Sequence, residues 1–255
     1  MLTKRKLLYT FIAISFWFLI WEVTAVIINI PVIFPTVTEV FSALGKLVLE
    51  SGFWKILLFS FVRILTGFTI GVIIGAALAI LCNVFSAARN LFAPLMTVVR
   101  ATPVASFIMV MWLIIGSDFV PSAITILMVV PIVWQNLTDG FSAIDKNLDE
   151  VCQVYEISGF KKFKLLFLPT LLRFLIPGIV TSASLAWKSG IAAEIIAYTK
   201  DSIGKNIFIA KNYLESAEML AWTLVVIILS LLFEFAVSSL GKKVSNNVAG
   251  SKKHN

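Results

Sequence analysis

Apolar stretches of about 20 residues, the length that crosses a hydrocarbon core, recur about six times along this 255-residue chain. The pattern predicts membrane-spanning helices over residues 7–29, 54–83, 94–116, 121–137, 171–198 and 217–240. Pro103 is expected to kink the third, which carries Arg100 near its inner end, and "GSDFVP" turns the chain back into the fourth. The first run follows Lys4, Arg5 and Lys6, a layout shared with secretory leaders, and Val23-Thr24-Ala25 is a passable cleavage site. Its length and its Phe16, Trp17, Phe18 and Trp21 favour a retained helix. Between the first two spans, "TVTEVFSALGKLVLESG" reads as a short amphipathic helix on the outer surface, with Thr36 as N-cap and Glu39 completing a capping box.

Within the second span, Gly67, Gly71 and Gly75 fall four apart on one helix face, where a neighbouring backbone can approach closely. Helix packing inside one subunit explains that seam more simply than a dedicated dimer contact.

One long passage breaks the apolar pattern: "EVCQVYEISGFKKFKLLFLP", residues 150–169. Leu148, Val151, Cys152 and Tyr155 recur at i, i+3, i+4 and i+7 and make a narrow apolar ridge, while Asp149, Glu150, Gln153 and Glu156 stay wet. Ser158-Gly159 signals a turn, after which Phe160, Phe163 and Phe167 form a second ridge backed by Lys161, Lys162 and Lys164. Pro169 suits the first turn of the next membrane helix, where its missing N–H costs nothing. Two short amphipathic helices at right angles to the bundle are expected, projecting into the cytoplasm. The competing reading is a loop whose apolar side rests on lipid headgroups.

Composition agrees with the pattern. With 59% hydrophobic and 14% charged residues, the chain has more apolar surface than a soluble core of this length could hide. Its net charge of +7 does not point to nucleic acid, because the cations gather at the ends of apolar runs. Counted by side, Lys4, Arg5, Lys6, Arg89, Arg100, Lys146, Lys161, Lys162, Lys164, Arg173, Lys242, Lys243, Lys252 and Lys253 oppose only Lys46, Lys55, Lys200, Lys205 and Lys211. The positive-inside bias therefore places both termini and the 150–169 loop in the cytoplasm. Two cysteines, Cys82 and Cys152, and a single His254 argue against disulfides, a metal site and histidine catalysis. No linker or low-complexity tract divides the chain: a first helix and outer connection occupy 1–34, the main membrane domain 35–245, and a polar tail 246–255.

Ionisable residues inside the spans are the other functional candidates. Arg63, Lys188 and Glu194, with Glu22 and Glu234, would each cost about 2.5–3.5 kcal/mol at mid-bilayer, so they should face protein or water. Lys188 and Glu194 are six residues apart and do not meet on one helix face, so they cannot simply neutralise each other. Pairing with another helix or snorkelling to an interface weighs more for Arg63 and Glu234. Lys188 and Glu194 flank the small-residue stretch "SGIAA", and with Arg63 they are the candidates to line or gate a pathway; Trp187 reads as packing.

The 150–169 passage resembles the EAA loop of binding-protein-dependent ABC importer permeases. That loop carries a glutamate, two small residues, a glycine six positions after the glutamate and a closing leucine-proline. Glu150, Val151 and Cys152 fall on the first three positions and Leu168-Pro169 close the motif; Glu156 stands where the glycine belongs, with Gly159 three residues on. "FPTVTEVFSAL", "VRILTGFTIGVIIG", "VRATPVASFIMVMWLIIG" and "SLAWKSGIAAEII", in that order, are similar to the permeases of the nitrate, sulfonate and taurine importer group. The resemblance implies an all-α, polytopic bundle of about six transmembrane helices with a cytoplasmic coupling helix, in the bacterial cytoplasmic membrane. It implies a homodimer that forms the pathway for a small oxyanion such as a sulfonate, taurine or nitrate. It further implies an external substrate-binding protein and a pair of cytosolic ATPases that bind the ATP and magnesium, the chain itself hydrolysing nothing and needing no cofactor of its own. The absence of GxxxxGK[ST] agrees with a P-loop supplied by a partner. A thiamine-pyrimidine precursor or another heterocycle is the alternative substrate class. An ion-coupled secondary transporter, the rival mechanism, would need its own coupling-ion site and often an internal repeat, and neither is evident.

Overall fold

A computed structural model describes residues 2–250 of the chain, with side chains from 8 to 245. The side chains of Lys4, Arg5 and Lys6 lie outside the described part, as do Lys252, Lys253 and His254 altogether. Every regular element among the described residues is helical: α1 Leu2–Ile28, α2 Val37–Leu49, α3 Phe53–Val84, α4 Ser86–Ala101, α5 Val104–Ile115, α6 Val120–Ser142, α7 Lys146–Val154, α8 Gly159–Lys162, a π-helical turn Phe163–Phe167, α9 Leu168–Ile196, α10 Ile203–Asn212 and α11 Ser216–Gly250.

Five helical stretches are long and apolar enough to cross a membrane, and α4 with α5 makes a sixth if the bent pair counts as one span. That pair departs from the expected kinked span. The helix begins at Ser86, tolerates Pro94 inside it, and then turns through 106° into α5. Pro103 is the cause, since a proline disfavours helical backbone at the residue before it, and Thr102 is extended at φ −83 and ψ 136. The second half of the 150–169 loop also differs from expectation. Instead of a separate short helix, α8 and the π turn run directly into α9 as one stretch from Gly159 to Ile196.

The core forms where α6 packs between α3 and α9, the two most extensive helix contacts in the chain. Gly67, Gly71 and Gly75 are buried there against α6. A Cβ on Gly71 would lie 2.8 Å from the Val129 Cβ, and one on Gly67 2.6 Å from the Ser122 carbonyl oxygen, so only hydrogen fits at the seam. Trp187 is fully buried on α9, donates its indole N–H to the Val226 carbonyl at 3.0 Å and packs on Phe61 and Phe233. α1 is exposed along most of its length and is held at its end: Trp21 donates to the Pro35 carbonyl, and Glu22 accepts the Val37 N–H at 2.7 Å. The Thr36–Glu39 capping box is present at the start of α2.

Candidate docking helix and the charged residues of the spans

α7 forms because Asp145 caps it, its carboxylate accepting the Asn147 N–H at 2.8 Å, and because its apolar positions recur at helical spacing. Of the four ridge residues, Cys152 turns inward and is 8% exposed, whereas Leu148, Val151 and Tyr155 face out, Tyr155 at 74%. Val154, 80% exposed, extends the apolar surface and escaped the periodicity argument because it lies off the ridge. Glu150 is exposed at the same helix. After Tyr155 the chain reverses through Glu156, whose φ of 54° is left-handed, and again through Gly159 at φ 54°. A carbonyl at Cys152 accepts the Ile157 N–H at 2.7 Å and closes the turn. Lys162 reaches back to Asp149 at 2.7 Å, so α8 is tied to α7 by an ion pair. Phe160 is exposed and stacks on Phe163, and Leu168-Pro169 sit half-buried at the start of α9.

The three ionisable candidates of the spans separate into two places. Lys188 points out from α9 and has no hydrogen bond or ion pair among the described residues. Glu194 is wholly buried nearly two turns further on. One of its oxygens accepts from the Ser60 hydroxyl at 2.9 Å and from the Gly204 N–H at 3.0 Å; the other has no hydrogen-bond partner among the described residues. Arg63, one turn beyond Ser60 on α3, directs its guanidinium to the carbonyls of Lys200 and Asp201 at 2.9 and 3.2 Å. Arg63 and Glu194 thus meet in one knot at the end of the bundle away from α7, and Lys188 stands apart from it. Lys55 also reaches this knot, donating to Asp201 at 3.1 Å and holding that carboxyl below its usual range.

Sequence reasoning missed α10, Ser60 and Asp201. α10 is only ten residues long and was hidden in what read as a connection; its one signal is Ser202, whose hydroxyl accepts the Lys205 N–H as an N-cap. Ser60 carries no signal at all, since a serine in an apolar helix ordinarily bonds its own backbone.

Residues 67–246 match the model of a family described as binding-protein-dependent transport system inner membrane component. The chain is 22% identical over 232 residues to the taurine transport system permease protein TauC of Escherichia coli (strain K12), covering 88% of this chain and 84% of that protein. It is 25% identical over 197 residues to the nitrate import permease protein NrtB of Leptolyngbya laminosa, covering 75% of this chain and 68% of the relative.

Proposed function

Because the chain belongs to the binding-protein-dependent transport system inner membrane component family, a family of ABC importer permease subunits in the inner membrane, we propose that it forms the pathway for a small oxyanion of the sulfonate, taurine or nitrate kind. In this reading α7 docks a cytosolic ATPase, a second copy of the chain completes the pathway, and an external binding protein delivers the solute.

The observation that carries the docking role is the exposed apolar edge Leu148, Val151, Val154 and Tyr155 on α7. α8, the π turn and α9 form a continuous stretch of 38 residues. At about 1.5 Å per residue that is roughly 57 Å, against a hydrocarbon core of about 30 Å. With the far end held at the Glu194 knot, the excess length supports a place for the 150–169 loop beyond the apolar layer and favours a protein partner over lipid headgroups. A groove on a cytosolic protein would cover those side chains.

Lys188 supports the oxyanion substrate. An ammonium facing hydrocarbon costs about 2.5–3.5 kcal/mol, so this face of α9 is turned to water or to protein. Paired across a two-fold axis, two such ammoniums would make a polar path electrostatically suited to an anion. Arg63 and Glu194 enter the same pathway through the turn that they hold.

The test is a pull-down of the ATPase from membranes carrying Tyr155→Asp, in parallel with taurine and nitrate uptake. A carboxylate in a dry contact costs several kcal/mol, so the variant should insert normally, lose the ATPase and stop ATP-driven uptake. Full retention of the ATPase with uptake intact would sink the docking role.

A further inference from the structure

We infer that Glu194 and Ser60 are positioning residues for transport: they stitch the turn between α9 and α10 to α3 and so set the outer gate, without touching the solute. This rests on the pathway reading above.

A carboxylate and a serine hydroxyl, delivered by two different helices, serve the first N–H groups of α10. Glu194 takes the Gly204 N–H, and the Ser60 hydroxyl accepts the Ile203 N–H at 2.9 Å while donating to Glu194. The approach is tight enough to require glycine: a Cβ on Gly204 would collide with the Glu194 Cβ and come 2.6 Å from the Ile195 nitrogen. The intervening backbone is left-handed at Tyr198, φ 53°, and at Asp201, φ 48°. Non-glycine residues hold such angles only where the surroundings over-determine them.

Here the surroundings do so from two sides. Arg63 on α3 takes the Lys200 and Asp201 carbonyls, and the Thr199 hydroxyl donates to the Ser117 carbonyl in the turn before α6 at 2.9 Å. The turn also closes on itself, the Thr199 N–H donating to the Glu194 carbonyl and the Ser202 hydroxyl to the Thr199 carbonyl. The bonds of Ser60, Arg63 and Thr199 cross to α3 and to the turn before α6, so the knot ties the outer end of α9 to α3. Lys188 lies six residues from Glu194, about 9 Å along a rigid helix, and moves with that end. The idle oxygen of Glu194 fits an element with a second arrangement. A buried acceptor without a donor is unfavourable where it stands, and another position of the turn can relieve it.

The experiment reads the gate without knowing the solute. In the assembled complex with its ATPase, Lys188→Cys is labelled by a membrane-impermeant maleimide added from the α10 side, in a background where Cys82 and Cys152, both buried, are replaced by alanine. Ser60→Ala and Glu194→Ala should each speed labelling about tenfold, the population shift that loss of such hydrogen bonds produces, while leaving the complex assembled. Glu194→Gln keeps an acceptor oxygen for Ser60 and Gly204 and should stay within about twofold of the parent. Unchanged labelling in both alanine variants overturns the inference alone, as does labelling of Glu194→Gln as fast as Glu194→Ala. Loss of assembly in all three variants reduces the knot to a folding element and overturns it as well. No labelling of Lys188→Cys in any background overturns both the gate and the pathway reading.

Discussion

Glu156 holds a left-handed backbone, φ 54°, at the position where the EAA pattern has glycine. For an L-residue that region costs about 1–2 kcal/mol, so the turn keeps the geometry that glycine would supply and carries its strain. Glu156→Gly should therefore be tolerated, with the ATPase still copurifying. Glu156→Val should lose it, because a β-branched side chain is an outlier at that angle. A pull-down from detergent-solubilised membranes decides between these outcomes. Lys188 belongs to the same scale. Lys188→Met removes an ammonium without leaving a cavity, so uptake should fall while assembly is retained; normal transport would make the residue an interface anchor. Its outward direction was not in the sequence, because charge spacing along one helix does not say which face a second helix covers.

The α3–α6 pair supplies the test at the level of an element. Gly71→Leu must place a side chain where Cβ alone already lies 2.8 Å from Val129, and overpacking of this kind costs roughly 1–3 kcal/mol. The melting temperature of the solubilised protein should drop. Gly45 is the internal control: nothing lies within 4 Å of a Cβ built on it, and it sits inside α2. Gly45→Ala should leave the melting temperature unchanged or raise it, since glycine within a helix is about 0.5–1 kcal/mol worse than alanine. An unchanged or raised melting temperature for Gly71→Leu as well would mean that helix propensity, and not the seam, governs these positions. The spacing of Gly67, Gly71 and Gly75 announced a close approach; that the approaching helix is α6, three elements on, required the fold.

For the whole molecule the open quantity is sidedness. On the lysine and arginine bias we propose that α7 is cytoplasmic and α2 outside, with both termini cytoplasmic. An impermeant maleimide should then label Lys46→Cys in intact cells and Glu150→Cys only in inverted vesicles. Both native cysteines are buried, which keeps the background low. Labelling of Glu150→Cys from outside would invert the topology and remove α7 from any cytosolic ATPase. The Lys55–Asp201 pair adds a minor pH dependence. Asp201 titrates below its ordinary value because Lys55 bonds its charged form, so its contribution is present at neutral pH and is lost as pH falls through that lowered value. The pair is well exposed, and salt should weaken it.

Six apolar runs, the α7 ridge and the EAA-like spacing were legible in the sequence because each depends on neighbours within a few turns of one helix: length, period and turn residues. The 106° break at Thr102–Pro103 was only half legible, since proline marks the place while the packing of α4 and α5 against the rest fixes the angle. Which residues meet at the Glu194 knot was not legible at all. Ser60 and Glu194 lie 134 positions apart, Arg63 and Asp201 138, and a hydrogen bond over such a separation leaves no local period to read. The sequence by itself determined that the chain crosses a membrane and carries an amphipathic helix at α7, because transfer from water to lipid acts on every residue by its own chemistry. The tertiary structure alone decided that Glu194 is spent on capping α10 while Lys188 is left facing out, because a buried charge takes its role from whatever the fold brings against it.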